Sequence, residues 1–182
     1  MRQLLIAVLG WILIAALGCG QSGNSAQTQM DFDQRLKELG IELYEPEPPI
    51  ANYVRTVRSG HLVFVAGHGP RKADGSYIRG KVGRDLTLEQ GNEAARITAI
   101  SLLSSLKAEL GTLNKVKRIV RVFGMVNATE DFTDHPKVIN GCSDLLVEVF
   151  GDRGKHARAA VGMASLPGNI AVEIEMIVEV GD

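Results

Sequence analysis

Cysteine is almost missing from this chain: among 182 residues only Cys19 and Cys142 occur, so a disulfide-built scaffold is excluded. Aromatic residues make up 5%, which leaves too few rings for a base-stacking platform. Neither sign of charge dominates. Twenty Lys and Arg against 21 Asp and Glu give a net charge of −1, and a nucleic-acid surface built on bulk electrostatics would need a basic excess. No nucleic-acid partner is therefore expected. The four histidines, His61, His68, His135 and His156, are scattered, and no His/Cys cluster has metal-ligand spacing. No metal site is expected, each histidine reads as structural or superficial, and no Ser/His/Asp set is evident. What remains, 45% hydrophobic and 23% charged, is globular composition with length for one domain and a real core.

Long apolar runs are equally scarce, with one exception at the N-terminus. Arg2 is a minimal positive start and Leu4 to Leu17 an uncharged apolar stretch. A spanning helix needs about 20 apolar residues, whereas the core of a signal peptide needs roughly 7–15, and this run fits the second. It leads into Ala16-Leu17-Gly18-Cys19, which resembles a bacterial lipoprotein signal with Cys19 as the lipidated residue. Ala16 stands where that pattern prefers leucine. The expected division is residues 1–18 as signal, 19–30 as a small, polar, flexible tether, and 31–182 as the folded domain. The expected location is the cell envelope, lipid-anchored or periplasmic. Two alternatives stay open: an exported protein without lipid, and translation starting at Met30 in the cytoplasm. With Cys19 lipidated no intrachain disulfide can form, and Cys142, inside a helical pattern, reads as a small buried hydrophobe.

The rest of the chain predicts an ordered set of elements. Phe32, Leu36 and Leu39 at helical spacing, stopped by Gly40, predict a short leading helix. Pro46, Pro48 and Pro49 hold an extended stretch. Tyr53–Arg58 and His61–Ala66 read as strands joined through Ser59-Gly60, and the glycine-rich 67–83 stretch as a loop. Thr87-Leu88-Glu89-Gln90 has the form of a capping box, opening a helix that Gly111 ends. A strand from Val116 to Met125 follows, then a helix from Thr133 or Asp134 to Gly151, then strands 158–164 and 171–180. This order predicts an α+β, two-layer sandwich: a mixed sheet covered on one face by two amphipathic helices. The last strand alternates, Val172, Ile174, Met176, Val178 and Val180 on one side, Glu173, Glu175, Ile177 and Glu179 on the other. The second side should face away from the helices, where Ile177 is either solvated or packed against another subunit.

Chemistry concentrates near the C-terminus. Arg158 opens one strand-like segment and Glu173 and Glu175 share a face of the next. An arginine side chain grips a carboxylate through a planar fork of donors, and a glutamate can hold or activate water.

These residues, with Pro49-Ile50-Ala51-Asn52-Tyr53-Val54, the run from Leu62 to Pro70, and Leu166-Pro167, resemble the RidA (YjgF-type) family, formerly described as L-PSP endoribonucleases, over roughly Tyr44 to Val180. The segment from Asp131 through Gly141 resembles a branch distinct from RidA proper. The resemblance implies a chorismate-mutase-like fold, a homotrimer with clefts between subunits, and cofactor-free hydrolysis of 2-imino (enamine) carboxylates to 2-keto acids and ammonia. It implies that Arg158 clamps the substrate carboxylate, that Glu173 positions water, and that Tyr53 and the Gly67 backbone line the cleft, with Asn140 contributing from a helix. Two positions depart from the pattern. Ala159 and Ala160 stand where the family commonly has Ser and Cys, and His68 stands where glutamine is common, with a loop hydrogen bond as its expected role. The alternative function is a non-catalytic binding protein for a small carboxylate metabolite. A third, endoribonuclease, has only the local cluster Lys115, Lys117, Arg118 and Arg121 in its favour, and that cluster reads more simply as a solvated strand face.

Overall fold

The computed structural model describes residues 30–49 and 51–181. The expected signal, Cys19 and all but the last residue of the tether lie outside them. Among the described residues no helix is long and apolar enough to cross a membrane.

Among the described residues three α-helices and five strands follow the order α1 (Phe32–Glu38), β1 (Thr56–Ser59), β2 (Leu62–His68), α2 (Leu88–Leu110), β3 (Val116–Asn127), α3 (His135–Phe150), β4 (Ala157–Met163) and β5 (Val172–Val180). The strands form one mixed sheet in the order β1-β2-β5-β3-β4, parallel only between β3 and β4. This is the α+β sandwich that the periodicities imply.

Local chemistry sets the helix ends. The Thr87 hydroxyl accepts from the Gln90 amide at 3.2 Å, and the Gln90 side chain accepts from the Thr87 amide at 2.9 Å. Two of the first-turn donors that a helix leaves unpaired are thereby satisfied. Pro136 sits in the first turn of α3, where its missing N–H costs nothing. Ala95, Ala99, Leu102, Leu103 and Leu106 of α2, and Val138, Leu145, Leu146 and Val149 of α3, are buried against Val63, Val65, Ile119, Val122 and the Val172–Val180 face of the sheet. Cys142 is in the same core, and burial pushes its thiol up to about 12. The leading helix α1 docks through Phe32, whose ring meets that of Phe150 edge-on at 4.9 Å.

The first hairpin differs from the sequence expectation. Tyr53–Arg55 precede the strand, and the turn is Gly60-His61, with Ser59 opposite Leu62. Gly60 has φ of +60°, and a two-residue hairpin turn needs positive φ at its first central position, so the glycine takes that place. Strand β2 also runs two residues past Ala66, because a bulge interrupts its pairing with β5: Val65 faces Met176, but the next partners are His68 and Ile174. Two residues, Ala66 and Gly67, thus stand opposite Glu175 alone. The extra residue restores His68 to the helix-covered side and leaves Gly67 near the open side.

The open face of the sheet carries one apolar row and one mixed row. Val57, Phe64 and Ile177 lie side by side across β1, β2 and β5, and Glu173, Met125 and Val161 form a second row across β5, β3 and β4. Val57 is 52%, Phe64 42% and Val161 37% exposed.

Candidate functional site

Glu173 belongs to the uncovered side of β5, half-buried at the bulge. A Cβ built on Gly67 would come 2.3 Å from Glu173 Oε1, so the carboxylate lies directly over the glycine. Only a residue without a side chain leaves it there. Burial raises the Glu173 pKa above its ordinary 4.5, and the neighbouring charge of Glu175 raises it further. This carboxylate lines a cavity of about 390 Å³, which Tyr53, Gly67 and Ile170 also line.

Arg158 lies elsewhere. In the β3–β4 register it stands beside Val122, on the helix-covered side, at the sheet edge. Its Nη1 donates to Asn140 Oδ1 at 2.8 Å and to Ser143 Oγ at 2.9 Å, both on α3. Ser143 in turn meets His156 Nε2 at 3.1 Å, while His156 Nδ1 lies 2.6 Å from the Gly154 carbonyl. That carbonyl can only accept, so Nδ1 carries the proton and Nε2 accepts from the Ser143 hydroxyl. Burial, and then the Arg158 charge, hold His156 below the ordinary imidazole value, against the pull of the Gly154 carbonyl.

The candidate residues therefore fall into two clusters within one chain. Tyr53, Gly67 and Glu173 share the cavity, whereas Arg158 and Asn140 form a separate pair. Arg158 and Glu173 point to opposite faces, on strands separated by β3, which is roughly 10 Å of lateral spacing.

His68 is a strand-end residue, not part of a loop. It is 6% exposed, its Nδ1 lies 2.6 Å from the Ala66 carbonyl and its Nε2 2.7 Å from Ser105 Oγ of α2. Burial holds it below the ordinary imidazole value, the Arg55 charge adding to this, so the neutral ring joins sheet to helix. Arg55, Arg71 and Arg79 also line the cavity and were not among the candidates read from sequence. Two bridges bring the loop residues there: Arg71 pairs with Tyr77 across the turn that Ala73-Asp74-Gly75-Ser76 announces, whereas the pairing of Arg79 with Ile170 has no local signal. Of the basic cluster, Lys115 precedes β3, while on the strand Arg118 stands beside Glu179 and Arg121 lies 3.8 Å from Glu175. Among the described residues no group of three His, Cys, Asp or Glu side chains could hold a metal ion.

A two-layer α+β sandwich with one open sheet face, a half-buried carboxylate on that face and an arginine at the sheet edge defines the class. The chain matches, over residues 33–180, the family described as "YjgF/chorismate mutase-like, putative endoribonuclease", and it belongs to that family. It is 42% identical over 148 residues to Protein TCP17 of Trypanosoma cruzi, covering 81% of this chain and 92% of the relative. The crystal structure of Atu1372 from Agrobacterium tumefaciens, a protein of unknown function, is 42% identical, with a TM-score of 0.77 over 82% of this chain and 92% of that one. A structure from Shewanella oneidensis, called a "putative endoribonuclease", is 30% identical with a TM-score of 0.79, over 83% of this chain and all of that one.

Proposed function

We propose that this protein hydrolyses 2-imino (enamine) carboxylates to 2-keto acids and ammonia, in clefts that a homotrimer completes. The observation that carries the reading is the placement of Glu173: a carboxylate on Gly67, in a cavity, with a pKa raised by burial. Such a group is suited to accept a proton from water near neutral pH. An iminium carbon is already electrophilic, so positioning and one activated water suffice, with no strong nucleophile. Water adds to the carbon as Glu173 takes its proton. Glu173 returns that proton to the carbinolamine nitrogen; the C–N bond then breaks as the C=O bond forms, ammonia leaves, and the hydroxyl proton passes to Glu173.

The substrate needs an anchor, and Arg158 is the arginine assigned to it. Asn140 and Ser143 hold one of its nitrogens, leaving the other donors for a carboxylate. Its separation from Glu173 within a chain is met by a neighbouring subunit docked on the open face, where Val57, Phe64 and Val161 are exposed. Tyr53 walls the cleft. Lipid anchoring at Cys19 would place these clefts at a membrane surface in the cell envelope.

The experiment generates imines in situ with an amino-acid oxidase and traps them with semicarbazide. Faster clearance of imine by the Met30-start protein, lost by roughly ten- to hundredfold or more in Arg158→Ala, supports the reading. No acceleration with any side chain refutes it and leaves the carboxylate-binding alternative, consistent with Ala159 and Ala160 on β4.

A further inference from the structure

The cavity beneath Glu173 has an excess of positive charge: two carboxylates line it, Glu47 and Glu173, against three guanidiniums. Three guanidiniums line it, Arg55, Arg71 and Arg79. Arg71 is paired: its Nη2 lies 2.7 Å from Glu47 Oε1, and its guanidinium sits 4.8 Å from the Tyr44 ring centroid. The other two are anchored differently. Arg55 donates through Nε to the Glu47 carbonyl, and Arg79 donates through Nη1 to the Gly168 carbonyl while its guanidinium lies 5.6 Å from the Tyr77 ring centroid. Among the described residues neither is in an ion pair.

Anchoring on carbonyls fixes a guanidinium without neutralising it. Most of its donors stay available, and the ordering cost of holding the side chain is already met before a ligand arrives. Among the described residues Glu173 is in no ion pair with these arginines. The cavity thus has a carboxylate region for water and a cationic wall for an acid.

We infer that the substrate carries a second acidic group on its side chain, which Arg55 and Arg79 receive. The substrate class is then dicarboxylic 2-imino acids. The α-carboxylate goes to the partner subunit's Arg158 and the distal one to the cationic wall. Only the assignment of the α-carboxylate rests on the proposed imine hydrolysis; the second acid rests on the cavity itself.

The test is calorimetric binding of two stable keto acids, 2-oxoglutarate with a distal carboxylate and 2-oxobutyrate without one, at low salt. Wild type should bind 2-oxoglutarate about tenfold or more tightly, and Arg55→Gln/Arg79→Gln should bring the ratio to within about twofold. Arg79→Gln alone, with an intermediate ratio, serves if the double variant does not fold. Equal binding by wild type, or a ratio unmoved by the variants, overturns the inference. Imine turnover is measured separately, so each idea fails by itself. A dicarboxylate preference without turnover sinks imine hydrolysis and keeps the second acid site. Turnover with a binding ratio near one does the reverse.

Discussion

Gly67→Ala offers a perturbation aimed at a single carboxylate. The new Cβ would lie 2.3 Å from Glu173 Oε1, 3.1 Å from Cδ and 3.2 Å from Cγ, and no other atom is as close. A carbon and an oxygen rest at about 3.3 Å or more, so the carboxylate must move by roughly 1 Å. Gly67 does not have positive φ, so its backbone accepts alanine without strain. The cost to folding is then that of moving the end of one half-buried side chain, about 0.5–1.5 kcal/mol. Catalysis is less tolerant, since a misplacement of about 1 Å can cost about a hundredfold. The expected result is a protein with the wild-type circular dichroism spectrum and a Tm within a few degrees of wild type. Its kcat/KM for imine hydrolysis falls about a hundredfold. An unchanged rate would show that the Glu173 carboxylate is not needed where it lies. Loss of fold together with rate would reduce Gly67 to a packing role.

Three further outcomes follow from the same geometry. Glu173 has a raised pKa, so its contribution to stability is complete below about 4.5 and is lost as pH rises through the raised value; Glu173→Gln should melt above wild type at pH 7, with the gain shrinking towards pH 4. His68 is shifted the other way: the unfolded chain takes up a proton below about 6.5 while the buried ring resists it, so stability falls with acidification. Thermal melts at pH 7.5, 6.5 and 5.5 should show a flatter decline in His68→Asn than in wild type. Phe64→Glu places a charge in the exposed Val57–Phe64–Ile177 row, and light scattering should report trimers for wild type and monomers for the variant; a trimeric variant would move the interface elsewhere.

The parts of the fold written in local chemistry were legible. Thr87 and Gln90 announce α2, Pro136 and Gly151 bracket α3, and strict alternation from Val172 to Val180 separates a core face from an open one. The bulge at Ala66-Gly67 was not legible, since it arises from pairing with β5 and reverses the face that His68 would otherwise occupy. The cationic wall was hidden for a related reason. Arg55 and Arg79 come from separate segments, and tertiary contacts with the Glu47 and Gly168 carbonyls, not a local pattern, hold them at the cavity. Arg158 and Glu173 could be singled out as residue types, but their orientation to opposite faces depends on sheet order. Nothing local encodes that β3 lies between them.

In the proposed trimer the reactive cleft takes Glu173 from one subunit and Arg158 from the next. Mixing inactive Arg158→Ala with inactive Glu173→Gln under conditions that dissociate and reassemble the subunits tests it directly. Random trimers at equal proportions rebuild an intact cleft at about one interface in four. Imine hydrolysis should therefore recover to about a quarter of the wild-type rate per site. A mixture no more active than its two components would contradict a shared cleft.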